Sequence, residues 1–138
     1  MIFQLVTEER FNLFPFDLIG CFINEDNKLI LKEVYNKEPK YNLELEQWRQ
    51  HYAMHPIDLL KKGEACSVVM NTNKRFYIED VQKIVHLPMA RNDRKAISFF
   101  EHPRTCLHIP ITKSDQPIGV ISLITLEEIF HIKPDQLR

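Results

Sequence analysis

The sequence predicts an α/β (α+β) domain built around a sheet that is covered on both faces. The main indication is residues 104–125, where two short apolar runs rich in β-branched residues, 106–111 and 118–124, flank the polar segment 112–117. This pattern is typical of a β-hairpin. The second run does not alternate apolar with polar residues, so both of its faces should be buried. We expect either helices on both faces of the sheet, or helices on one face and a lidded pocket on the other.

Length and charge narrow the class of protein. The 138 residues fit one domain, and 18 basic against 19 acidic residues give a formal net charge of -1. A balanced charge predicts neither a nucleic acid nor a membrane surface as partner. No apolar stretch approaches the roughly 20 residues of a membrane span, and the charged start does not resemble a signal peptide. We therefore expect one soluble domain.

Cysteine and glycine usage excludes several kinds of site. Cys21, Cys66 and Cys106 are far apart without a C-x-x-C pair, which argues against a disulfide framework and a zinc knuckle. This predicts a reduced, cytoplasmic chain. Glycine occurs only at Gly20, Gly63 and Gly119, so the glycine-rich phosphate loops and the hydrolase elbow are absent.

The first elements should be a weak helix and a second hairpin. Residues 7–14 have helical character before Pro15. Residues 17–24 form an apolar run, and 28–35 supply a partner strand across the turn 25–27. We therefore expect a hairpin to open the sheet.

The middle of the chain predicts helices followed by two strands. Apolar residues recur at helical spacing over 43–62, interrupted by Pro56, which indicates two short helices. The apolar run 65–70 is expected to be a strand, 71–74 a turn and 75–78 a short extended segment.

The segment before the main hairpin is the least regular. Asp80 is placed to cap a helix over 81–86, and residues 87–103 form a long connection with one helical turn at 95–100. Connections of this length are usually functional or mobile. After the hairpin, residues 134–137 begin a further helix.

Three segments of this sequence resemble the GAF domain family. Residues 63–81 are similar to that family's glycine, strand, turn and "v-x-i-x-D-v" segment, with Asp80 at the recurrent aspartate. The hairpin is similar to its "s-l-l-x-V-P-l … g-x-x-i-G-v-l-x-l" pattern, in which Pro110 and Gly119 match. The third segment, residues 130–137, is similar to the "F-x-x-x-d-x-x-L" that opens the family's last helix.

The resemblance implies a fold and a function. The fold would be a central antiparallel sheet of five or six strands with helices on one face and a lidded ligand pocket on the other. The chain would be a regulatory sensor and not an enzyme, with no cofactor. Its ligand would be a purine, free or as a cyclic nucleotide. The output domain would lie in the same chain and would be a nucleotide cyclase, histidine kinase, phosphodiesterase or transcription activator. Because the terminal helices are short here, we expect a piece of a larger protein that forms a homodimer at full length.

Some positions depart from subclasses of the family. The cyclic-nucleotide subclass typically has Asn-Lys after the last strand, where this chain has Thr125 and Leu126. Phosphodiesterase-type cyclic GMP binding is therefore not supported. The family's free methionine sulfoxide reductases place their cysteines differently from positions 21, 66 and 106.

The candidate ligand-binding residues lie on the strands and on the lid formed by residues 80–105. In the lid, arginine offers forked donors and aspartate an acceptor, although an ordinary solvated loop would have the same composition. Ser122 is the only polar side chain in the middle of its strand, so its hydroxyl needs a partner, either a ligand or a neighbouring group. The predicted set is Gly20, Phe22, Asp80, Arg91, Asp93, Phe99, Thr105, Cys106, His108 and Ser122.

Three alternatives stay open from the sequence. Cys106 and His108 share one strand face, so with Cys66 they could form a small redox enzyme or a metal-binding domain. A buried apolar cysteine beside a bonded histidine would show the same pattern. His51 and His55 have the spacing of two metal ligands on a helix, although a solvated face is the simpler interpretation. Lastly, the pocket could be filled by side chains, leaving a ligand-free dimerisation module.

Overall fold

The structure is a computed structural model that describes residues 16–61, 63–101 and 103–131. Within these ranges it contains six strands and three α-helices. The strands are β1 (Leu18–Glu25), β2 (Lys28–Asn36), β3 (Ile57–Asp58), β4 (Phe76–Ile78), β5 (Cys106–Lys113) and β6 (Gln116–Ile124), and the helices are α1 (Asn42–Met54), α2 (Ala65–Thr72) and α3 (Arg91–Ser98). The helices expected over 7–14 and from 134 onward lie outside the described residues.

All six strands form one sheet in the order β3-β2-β1-β6-β5-β4, and every neighbouring pair is antiparallel. The two predicted hairpins, β1–β2 and β5–β6, are joined through the central pair β1–β6. The predicted fold class, an α+β domain on an antiparallel sheet of five or six strands, is confirmed.

Two-residue turns close both hairpins. Asp26 and Asn27 in the first turn have φ of 52° and 65°, and Ser114 and Asp115 in the second have 51° and 63°. Two consecutive left-handed residues give a turn whose twist matches that of the flanking strands. Both predicted turn regions are therefore confirmed, and the second is tighter than the six residues expected.

Both faces of the central strand β6 are covered. Val120 and Ile124 belong to the large core beneath the helices, whereas Leu123 packs on the opposite face with Phe16 and Ile19. The expected burial of both faces of this strand is therefore confirmed. All three described helices pack on the first face, which also carries the cavity described below, so helices and pocket share a face. On the opposite face, Phe130 packs edge-on against Phe16, with ring centroids 5.2 Å apart.

The strand predicted over 65–70 is wrong, because this segment is α2. Cys66, Val69 and Met70 recur at helical spacing and are buried in the core. The helix ends where Asn73 adopts a left-handed conformation and its amide donates to the carbonyl oxygen of Val69. A short apolar run has no periodicity that separates a buried strand from a buried helix, which explains the error.

The two short helices predicted over 43–62 are also wrong in part. One helix, α1, ends at Met54, and after Pro56 the chain is extended as β3, where Ile57 pairs with Leu29 at the sheet edge. The irregular segment 87–103 contains α3 from Arg91 onward, earlier than the helical turn expected at 95–100. No helix among the described residues is long and apolar enough to cross a membrane.

Candidate functional site

A cavity of about 270 Å³ lies between the sheet and helices α2 and α3. Most of its wall is apolar. A few polar side chains from four elements converge on it: Cys66 from α2, Asp93 from α3, Cys106 and His108 from β5, and Ser122 from β6. An apolar cavity with a few convergent polar groups is the usual form of a small-molecule site.

His108 and Ser122 meet because the β5–β6 register places them opposite each other. The Ser122 Oγ lies 2.7 Å from the His108 Nδ1. Burial lowers the pKa of His108 to about 4, so the imidazole is neutral at pH 7. Its Nδ1 can then accept a hydrogen bond from the Ser122 hydroxyl. The partner that the buried Ser122 hydroxyl required is therefore an imidazole on the neighbouring strand.

The two cavity cysteines are protonated thiols at neutral pH. The Cys66 Sγ lies 3.8 Å from the Ser122 Oγ and 3.9 Å from the His108 Nδ1. Burial raises the pKa of Cys66 far above its usual range and that of Cys106 to about 12. Fast nucleophilic or metal chemistry uses the thiolate, which is scarce here.

No metal centre is apparent in the part of the chain that the structure describes, since no three His, Cys, Asp or Glu side chains there are arranged to hold an ion. The imidazoles of His51 and His55 do approach, with ring centroids 5.1 Å apart. Two ligands without a third do not make a structural or catalytic zinc site.

Asp93 connects the two helices that border the cavity. Its Oδ2 accepts a hydrogen bond of 2.9 Å from the Ala65 amide, at the start of α2. Burial raises the pKa of Asp93 to about 6, the Ala65 bond opposes that rise, and the nearby Glu64 carboxylate adds to it. A carboxylate on α3 therefore holds the first turn of α2 while remaining at the cavity wall.

This raised pKa predicts a pH-dependent stability. The folded state favours protonated Asp93. The stabilisation of the fold by this group is therefore complete below its ordinary pKa of 3.8 and is lost as the pH rises through about 6. We expect Asp93→Asn, which keeps an acceptor for Ala65, to raise the free energy of unfolding at pH 7 by about 1 to 3 kcal/mol. Near pH 4 that gain should vanish. Chemical denaturation from pH 4 to 8 measures this, with Asp26→Asn in the exposed β1–β2 turn as control, and a gain that is constant with pH would contradict the assignment.

Aromatic rings form much of the remaining wall. Phe22 from β1 meets Trp48 and Tyr52 from α1, and the ring of Phe100 packs on Trp48 with centroids 6.3 Å apart. Phe76 from β4 closes the wall beside His108, with centroids 6.2 Å apart. Trp48, Tyr52 and Phe100 were missed as site residues. Helical spacing shows only that the first two are buried, not that a cavity lies beside them.

Half of the predicted site residues line the cavity, namely Phe22, Asp93, Cys106, His108 and Ser122. Four of these are on strands, where the parity of the side chains fixes the face. Their role in binding a ligand stays a prediction.

The other five predicted residues lie away from the cavity wall. Gly20 packs against Trp48, and Phe99 packs on His51 with ring centroids 5.6 Å apart. Arg91 is exposed at the start of α3.

Asp80 and Thr105 instead stabilise the loops around the cavity. The Asp80 carboxylate caps the short 3-10 helix Val81–Lys83 by accepting from the Gln82 amide, and pairs with Arg104 at 3.3 Å. The predicted capping role is thus confirmed for a shorter helix than 81–86. The Thr105 hydroxyl donates to the Glu79 carbonyl and accepts from the Phe130 amide.

Comparison with known proteins identifies the fold but no family. No protein-family model and no curated protein matches this sequence. Solved structures do match. A GAF domain/HD domain protein from Geobacter sulfurreducens has a TM-score of 0.68 at 9% identity, over 98% of this chain and 79% of that one. The GAF domain of a two-component sensor histidine kinase from Bacillus halodurans has a TM-score of 0.67 at 18% identity, over 99% and 81%. The chain therefore has a GAF-like fold, as its sequence resemblance predicted.

One neighbour corrects the functional expectation. The type II free methionine-R-sulfoxide reductase from Thermoplasma acidophilum has a TM-score of 0.64 at 16% identity, over 96% of this chain and 77% of that one. The prediction that the chain is not an enzyme is therefore wrong. It relied on the fold, and this fold also occurs in enzymes.

Proposed function

We propose that the chain is a small-molecule-binding regulatory domain whose ligand occupies the cavity between the sheet and helices α2 and α3. The observation that carries this proposal is a cavity of about 270 Å³ with an apolar wall and a few convergent polar side chains. The GAF domain of a sensor histidine kinase among the structural neighbours supports a signalling context.

The wall chemistry favours some ligands over others. Asp93 is an acidic group on the wall, and the described lining residues include no lysine or arginine. The phosphate of a cyclic nucleotide would thus be desolvated without a counter-charge, which is strongly unfavourable. A neutral purine base has no such penalty and can stack on the aromatic wall. Of the two predicted ligand classes, the base is the one that this cavity supports.

Regulation would act through the two helices beside the cavity. The bond from the Ala65 amide to Asp93 couples the start of α2 to α3. A ligand that contacts both helices stabilises the arrangement in which they are close, and its binding energy shifts that equilibrium. The output domain, the homodimer and the cytoplasmic location stay predictions, since they concern the chain beyond the described residues or its surroundings.

A space-filling substitution tests the ligand site. Ala96 is a buried α3 residue on the cavity wall, and Ala53 is an exposed alanine on α1. We expect Ala96→Leu to fill part of the cavity and to weaken the binding of adenine or indole at least about tenfold, while Ala53→Leu binds like the parent. Calorimetry gives the affinities, and circular dichroism shows that both variants are folded. Equal affinity in all three proteins would place the binding site elsewhere. Native mass spectrometry of the purified protein adds a direct check for a retained ligand.

A further inference from the structure

We propose that the cavity binds a small organic cation, a quaternary or protonated amine, which is held by its aromatic wall and by the Asp93 carboxylate. This inference rests on the proposed ligand-binding function and specifies the chemical class of the ligand. Neither the GAF-like sequence segments nor the structural neighbours indicate this class of ligand.

The first argument is the geometry of three rings. Phe22 and Trp48 have centroids 6.2 Å apart with an interplanar angle of 89°. Phe22 and Tyr52 are 5.1 Å apart at 87°, and Trp48 and Tyr52 are 5.7 Å apart, also at 87°. The three ring planes are thus nearly perpendicular to one another. The rings pack edge to face against one another and all three line the cavity, and an aromatic ring attracts an alkylammonium group that lies within about 6 Å of its centroid.

The second argument is the sign of the charge around the cavity. Asp93 lines the wall, and the Glu64 carboxylate is close enough to raise the Asp93 pKa further. His108 is neutral at pH 7 and contributes no opposing charge. The described wall includes no lysine or arginine, so a cation in the cavity would supply a counter-charge for the half-buried Asp93 carboxylate.

Two of the three basic side chains on α3 are engaged elsewhere, and the third, Arg91, is exposed at the start of the helix. The Arg94 guanidinium donates to the carbonyl oxygens of Val85 and Leu87, at 2.8 and 2.7 Å. The Lys95 Nζ lies 5.3 Å from the centroid of Phe99, which is not on the wall. The site therefore has the charge pattern of a cation receptor, and it disfavours anions and carboxylate-bearing ligands such as free amino acids.

A pair of isosteric probes separates charge from shape. Choline and 3,3-dimethylbutan-1-ol have the same size and shape, and only the first carries a positive charge. We expect calorimetry at low ionic strength to give choline at least about tenfold higher affinity than the neutral alcohol. Adenine serves as the neutral aromatic comparison, and acetate as the anion, which should not bind.

Two variants test whether the preference for choline over the neutral alcohol comes from the Asp93 carboxylate and from the aromatic wall. Asp93→Asn should remove most of the preference for choline, whereas Asp26→Asn in the exposed β1–β2 turn should leave it unchanged. Phe100→Leu keeps an apolar side chain on the wall but removes one ring, so it should weaken choline several-fold with little effect on the alcohol. Circular dichroism and the melting temperature show whether each variant is folded.

The outcomes are distinguishable. If the alcohol or adenine binds the parent protein as tightly as choline does, the cation inference is overturned while the ligand-binding function stands. If choline is preferred but Asp93→Asn retains the whole preference, the assignment of the carboxylate is overturned. If no probe binds and native mass spectrometry finds no retained molecule, the proposed function fails, and the inference fails with it.

Discussion

Replacing Gly119 with valine is expected to lower the free energy of unfolding by at least about 3 kcal/mol. Gly119 lies in β6 opposite Ile23 of β1, at the centre of the sheet. A Cβ atom there would overlap the carbonyl oxygen of Phe22 and would approach the Cα of Ile23 to 3.3 Å. Because the overlap is with backbone, it is relieved only by moving one of the two central strands. Both the hydrogen bonds of this pair and the cavity wall at Phe22 depend on their spacing.

Gln116→Val is the matched control for this effect, since it introduces the same side chain at an exposed position of the same strand. Chemical denaturation of the two variants should give a large loss for the first and a small change for the second. An unchanged midpoint for Gly119→Val would mean that the β1–β6 register is incorrect.

Replacing Trp48 with alanine is expected to cost about 3 to 5 kcal/mol of stability, the range for removing a large aromatic from a core. Trp48 is 3% exposed and packs against the rings of Phe22, Tyr52 and Phe100. It also covers Gly20, where a Cβ atom would come within 2.9 Å of the indole Cζ3. Its removal therefore leaves a void between α1 and the sheet, next to the ligand cavity.

Leu43→Ala tests whether this loss is due to burial and not to the helix itself. Leu43 is on the same helix but 69% exposed, so its truncation should change stability by less than about 0.5 kcal/mol. If the two truncations had similar effects on the thermal midpoint, α1 would not pack on the sheet through Trp48. The Trp48→Ala protein, if folded, should also lose most of its affinity for choline.

Sequence alone was sufficient to place four cavity residues, Phe22, Cys106, His108 and Ser122, on strands. The period of two in a strand fixes which residues share a face, so the spacing of Cys106 and His108 assigns both side chains to one face of β5. Turn chemistry at Asp26 and Asn27 likewise fixed the first hairpin, because consecutive residues of this kind tolerate the left-handed conformation. Both signals are local, and local signals are what a single sequence contains.

The tertiary structure alone decided the helix α2 and the aromatic wall. The apolar run 65–70 is equally compatible with a buried strand and a buried helix, and only packing against β5 and β6 selects the helix. That choice places Cys66 beside Ser122 and presents the Ala65 amide to Asp93, 28 positions later in the chain. Trp48 and Tyr52 could be recognised as buried from their spacing. That they border a cavity instead of filling it depends on how far α2 and α3 stand from the sheet, a distance set by contacts between segments remote in sequence.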